Sequence, residues 1–187
     1  EPNNPQNKSG KVMRIVNQKE HYTIILRPNR IDVQFPGVQP EKMVDILRKM
    51  QEVFKEVSDI LENPLGNRLA YVASFFSFDD DGTKMGELIN RINFLPKNSK
   101  TTELTLRINT PEVIQDEDIN VVTNINNVLV GNNAAPDAGK RRSIMITYDV
   151  NTLHNSLDNR FDFSLVLAYF DEMVNITMDH LESFKNI

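Results

Sequence analysis

Residues 22–61 read YTIILRPNRIDVQFPGVQPEKMVDILRKMQEVFKEVSDIL, and the change of period inside this stretch sets the fold class. Its first part alternates. Ile31, Val33 and Phe35 fall on one side and Asp32 and Gln34 on the other, the period of a strand with one covered face. Tyr22–Arg27 is equally β-rich, and Pro28-Asn29 between the two runs supplies a turn, since proline's fixed φ suits the first central position. The two runs therefore read as a hairpin. After Pro36-Gly37 the period lengthens. Met43, Ile46, Leu47, Met50, Phe54, Val57, Ile60 and Leu61 recur at spacings of mostly three and four, opposite a charged face that includes Glu41, Arg48, Glu52, Lys55 and Asp59. That is an amphipathic helix. Pro40 suits its first turn, where a missing N–H costs nothing, and Asn63-Pro64 ends it.

Further along the chain the same two periods return. Residues 69–78, LAYVASFFSF, form a strand that is apolar on both faces, which implies either a central strand covered on each side or one covered at a subunit contact. Asp79, Asp80, Asp81 and Gly82 make a turn, and Met85, Leu88, Ile89 and Ile92 a short helix around Gly86. Leu104, Leu106 and Ile108 alternate in a strand that Pro111 is expected to end. Residues 120–130 and the alternating Ile144, Ile146, Tyr148 and Val150 are expected to pair as a long hairpin around a polar loop. A closing helix over residues 162–184 carries the stripe Phe163, Val166, Leu167, Phe170, Met173, Val174, Thr177, Leu181 and Phe184, with Asp162 or Ser164 as its cap. The order β-β-α-β-α-β-β-β-α predicts an α+β fold: an antiparallel-rich sheet of about six strands, with two long amphipathic helices and one short helix packed on it. Residues 1–19 are expected to be a flexible lead-in and residues 20–187 a single domain.

Three consecutive features carry a family resemblance: the early hairpin followed by the long helix, the strand RLAYVASFFSF, and the ending. In the ending, Tyr148-Asp149-Val150 is followed by a polar spacer and the acidic, Phe-containing helix RFDFSLVLAYFDEMVNITMDHLESF. From about residue 20 to 184 the chain resembles a sporadically distributed family of uncharacterised prokaryotic proteins. Members carry a further strand near the N-terminus that this chain is expected to lack. The resemblance implies no catalytic residues, so none is carried over.

Composition narrows the function classes. With 187 residues, of which 40% are apolar and 25% charged, the chain can build a core without staples. It has no cysteine, which removes disulfides, thiol nucleophiles and thiolate zinc sites, and fits the expected cytoplasmic setting. The net charge of -5 speaks against a nucleic-acid partner, because phosphate binding needs concentrated Lys and Arg. No apolar run approaches the ~20 residues of a membrane span. The Gly-rich phosphate loops, the H-E-x-x-H metal pattern and the Gly-flanked nucleophile elbow are all missing from the sequence.

Two clusters remain as candidate sites. Asp79, Asp81 and Glu87 invite a Ca²⁺ reading: with Gly82 at the sixth place of a calcium loop, Asp79 and Asp81 fall at the third and fifth. Leu88 takes the twelfth, where a glutamate belongs, and Glu87 is one residue short; the plain alternative is an acidic turn. Lys140, Arg141 and Arg142 form the densest basic run and can meet a polyanion or an acidic partner, or stand solvated in a loop. His21, His154 and His180 have no metal-ligand spacing. No cofactor is expected. The leading expectation is a non-enzymatic protein-interaction or assembly module, with a protein partner or a second copy of itself. The alternatives are a small-ligand pocket between sheet and helices, lined by Phe and Met, and an enzyme using Asp79, Asp81 and Glu87 alone.

Overall fold

The computed structural model describes residues 12–27, 30–36, 43–61, 65–91, 103–131, 139–153 and 158–185. Where the sequence reading groups residues 20–187 together, the chain divides into two compact units, residues 1–60 and 61–187.

The N-terminal unit is a three-stranded antiparallel meander followed by a helix. Strand β1 (Met13–Asn17) pairs with β2 (Tyr22–Arg27), which pairs with β3 (Arg30–Gln34). The β2–β3 hairpin is the one expected from the alternation, with Arg27 opposite Arg30 and both guanidinium groups on Asp32. Strand β1 lies inside residues 1–19, which the sequence presents as a lead-in, and is an early strand that the pattern did not lead us to expect. Its sequence MRIVN is short, and Asn17 helps bend the chain towards β2: its side-chain Oδ1 accepts the backbone N–H of Glu20 at 3.0 Å. Helix α1 (Met43–Ile60) buries Ile46, Met50, Val53, Phe54 and Val57. Ile60 and Leu61, expected on the stripe, are 77% and 44% exposed, because the helix ends there. Lys49 on α1 reaches Glu20 in the β1–β2 turn at 2.7 Å. Pro28, Asn29, Gly37, Pro40 and Pro64 lie outside the described residues.

The C-terminal unit holds a four-stranded antiparallel sheet in the order β5-β8-β7-β6, formed by β5 (Ala70–Phe78), β6 (Thr105–Ile114), β7 (Glu117–Val130) and β8 (Arg141–Thr152). A two-stranded clip joins β4 (Leu65–Gly66) to β9 (Phe161–Asp162), directly before helix α3 (Phe163–Lys185). The expected long hairpin is β7–β8. The expected single sheet of about six strands is instead, among the described residues, three sheets of three, two and four strands. Alternation in a sequence tells which face of a strand is covered. It does not tell which strand lies alongside, and here the early strands find their partners in their own meander.

Pro111 does not end its strand. It sits inside β6, opposite Asn120, and the chain turns only at Gln115-Asp116, where both residues have positive φ (53° and 97°) as a tight hairpin loop requires. Proline is tolerated there because β6 is an edge strand.

The cross-strand register sorts the side chains into two faces. Tyr71, Val150 and Val121 share one, as do Phe75, Ile146, Ile125 and Leu106. Helix α3 supplies buried Val166, Phe170, Met173, Val174, Thr177 and Leu181 to the core. Helix α2 (Thr83–Arg91) contributes Met85 and Ile89, which cluster with Leu104, Ile125 and Ile144. The expected α+β class is therefore present. Among the described residues no helix is long and apolar enough to cross a membrane.

Candidate interaction surface

The acidic turn follows β5 and opens α2. Asp79 is 5% exposed, and both of its carboxylate oxygens are occupied: Oδ1 accepts the backbone N–H of Lys84 at 2.9 Å and Oδ2 that of Met85 at 3.0 Å. These are donors that a helix leaves unpaired at its N-terminus, at the positive end of its dipole. Asp81 Oδ1 accepts the N–H of Thr83 at 3.0 Å, which holds its carboxyl below the usual carboxylate range. Gly82 takes φ of 78°, open to glycine and strained for other residues. Glu87 is exposed on α2. The aspartates of the calcium reading thus serve the start of a helix, and among the described residues no three His, Asp or Glu side chains converge as metal ligands.

The basic run lies against the same turn. Arg141 Nε donates to Asp80 Oδ2 at 3.0 Å, and its guanidinium carbon stands 3.9 Å from the centroid of the Phe78 ring. The hydrogen bond from Arg141 holds the Asp80 carboxyl below its usual range. Beside it, the Asp79 N–H donates to the Arg142 carbonyl and the Ser143 hydroxyl to the Ser77 carbonyl, both at 3.0 Å. The two clusters that look separate in the sequence are therefore one corner, where the β5–β8 ladder ends and opposite charges answer each other. Lys140 and Arg142 are exposed beside it.

The histidines differ in setting. His180 on α3 sits 3.1 Å from Glu112 through Nε2 and edge-on to the Tyr148 ring. Tyr148 is fully buried, its hydroxyl has no hydrogen-bond partner among the described residues, and burial pushes it up to about 12. It stays neutral across the physiological range, which removes it as a general base there. His21 lines a shallow depression of about 330 Å³ in the N-terminal unit, with Val16, Asn17, Gln18, Tyr22, Thr23 and Pro36. This depression is not the pocket between sheet and helices that the ligand-binding reading expected. His154 lies outside the described residues.

Of the two readings the sequence left open for β5, the central strand does not hold: among the described residues it pairs with β8 alone and stands at the border of the sheet. On the face away from the core, Val72 is 59% exposed, Phe76 54% and Phe78 44%. The rest of that face is mixed: Arg107 lies opposite Asn124 and Thr105 opposite Asn126, but Asn109 lies opposite Val122, Met145 stands beside Phe76, and Val113 on β6 is 65% exposed.

Comparison of the chain with protein-family models, curated proteins and solved structures gives no match.

Proposed function

We propose that the chain is a protein-interaction or assembly module that takes an extended segment of another chain onto the open edge of β5. One observation carries this reading: nine consecutive strand residues, AYVASFFSF, border the sheet with no charge and no proline, and three of their large apolar side chains face solvent. An edge strand offers a row of unpaired N–H and C=O groups, and proteins normally blunt such an edge with lysine, proline or a bulge. An edge left plain is suited to strand addition, in which backbone hydrogen bonds give affinity and alternate side chains give selectivity. The family resemblance and a cytoplasmic setting belong to the same proposal, since the absence of cysteine agrees with a reducing compartment.

The test is a titration of a fluorescently labelled peptide carrying the sequence of residues 70–78, flanked by charged residues for solubility, read by anisotropy. Saturable binding to the wild-type chain and its loss in Val72→Lys are the expected results. A peptide that binds neither protein, together with a wild-type chain that does not self-associate, would remove the reading.

A further inference from the structure

We infer that the segment β5 takes up is the β5 of a second copy of this chain, paired antiparallel about a two-fold axis at Ser74. This rests on the proposal that β5 is a docking edge, and adds the identity and register of the occupant. In a two-fold pair each contact occurs twice, so the edge has to be complementary to itself. One register of β5 satisfies this. With Ser74 opposite the partner's Ser74, small residues meet large ones along both faces. On the exposed face Ala70 stands across from the partner's Phe78, and Val72 from the partner's Phe76. On the other face Ala73 stands across from the partner's Phe75, and Tyr71 from the partner's Ser77.

Charge selects the same register. Arg68 lies just ahead of β5 and Asp79 and Asp80 just beyond it; the Asp79 carboxylate is taken up by the start of α2, which leaves Asp80 as the exposed charge at that end. Pairing about Ser74 brings Arg68 to the same end of the new ladder as the partner's Asp80, just past the last paired residues. Sliding one copy by two residues sets Arg68 against the partner's Phe78 or the partner's Gly82 instead, and shortens the ladder. The two four-stranded sheets become one of eight strands, with β6 at both outer borders. That number lies within the usual range for open sheets. Since β6 carries Arg107, Pro111 and Glu112, growth stops at two copies.

The chain has no cysteine, so Ser74→Cys introduces a single thiol. Ser74 is exposed, its hydroxyl 2.9 Å from that of Thr147. Facing residues of an antiparallel pair stand about 4.5–5.5 Å apart between Cα atoms, within disulfide reach. In this register the two copies of residue 78 are roughly 27 Å apart, at ~3.4 Å per residue. Light scattering on the wild-type chain is expected to give twice the 21.5 kDa chain mass. Mild oxidation is expected to crosslink Ser74→Cys into a covalent dimer and leave Phe78→Cys uncrosslinked. A wild-type monomer at the highest soluble concentration overturns the second copy as occupant; the peptide titration then decides separately whether the edge docks anything. A dimer in which residue 78 crosslinks as readily as residue 74, or in which neither does, overturns the two-fold at Ser74.

Discussion

The two outer strands of the four-stranded sheet, β5 and β6, face the same geometric problem with opposite residues. Both leave one side unpaired among the described residues. Both also expose large apolar side chains: Val113 on β6 is 65% exposed, more than Phe76 on β5 at 54%. Apolar exposure alone therefore does not separate them. The guards do. Strand β6 reads TLRINTPEVI, with Arg107, Pro111 and Glu112 spread along it, whereas β5 has neither charge nor proline. A lysine or arginine on an edge must be stripped of water before another strand can dock, and a proline offers no N–H to pair. Strand β6 carries such guards and β5 carries none.

The largest expected effect comes from giving β5 what β6 has. Phe76→Lys should raise the dissociation constant for self-association at least tenfold, because the docked ladder would set a charged, hydrated side chain against the partner's Val72 in place of an apolar contact. Val113→Lys, placed at a position more exposed still, should leave association unchanged. Light scattering across a dilution series compares them. Equal losses in both variants would erase the distinction between the edges.

The reverse exchange should have a smaller but visible effect. Arg107→Val combined with Pro111→Val strips two of the three guards from β6 and leaves Glu112 alone on that edge. With that edge largely unguarded, assembly no longer closes at two copies, and species larger than the dimer should appear by sedimentation as concentration rises. If the doubly substituted chain remains a dimer at every concentration, the guards on β6 are not what limits assembly.

Next in size is the effect of how β5 ends. Asp79 turns the chain out of β5 and satisfies two backbone donors of α2. Asp79→Ala should lower stability by about 1–2 kcal/mol in urea unfolding, the range for loss of a helix cap. Asp79→Asn should recover part of that loss, since the amide oxygen still accepts. A calcium ligand would behave differently: added Ca²⁺ would raise the wild-type melting temperature, and the capping role gives no reason for it to do so.

Much of this was legible beforehand, and the limits have physical causes. The helices α1, α2 and α3 follow from spacings of three and four. The β2–β3 and β7–β8 hairpins follow from alternation on either side of a polar turn. Sheet membership was not legible, because strand pairing depends on residues far apart in sequence: Phe76 pairs with Met145, and the pattern of either segment alone names no neighbour. Pro111 was misleading for a related reason, since its effect depends on whether its strand is an edge. The acidic and basic clusters were each visible, but their meeting at Asp80 and Arg141 was not, because the β5–β8 ladder brings them together.

That meeting supplies the smallest expected effect, and one that separates stability from assembly. Asp80 is held below its ordinary value of 3.8 by the hydrogen bond from Arg141. A carboxylate depressed in the folded state contributes stability that is fully present above its unfolded value and is lost as pH falls through the lower folded one. The contribution is therefore whole at neutral pH and fades below about pH 4, and Asp80→Asn should flatten that part of the stability curve. The pair is solvent-exposed, so the effect is small and weakens further with salt. In the Phe76→Lys background, which is expected to be monomeric, the acid loss due to the bond within one chain should persist. In the wild-type dimer Asp80 also lies at the same end of the ladder as the partner's Arg68, so Asp80→Asn should weaken association there even at neutral pH. Thermal unfolding and light scattering on the wild type, the two single variants and the double variant read the two effects apart. An Asp80→Asn chain that associates as tightly as wild type would remove the charge contact from the ends of the docked ladder, and the register at Ser74 would then rest on steric fit alone.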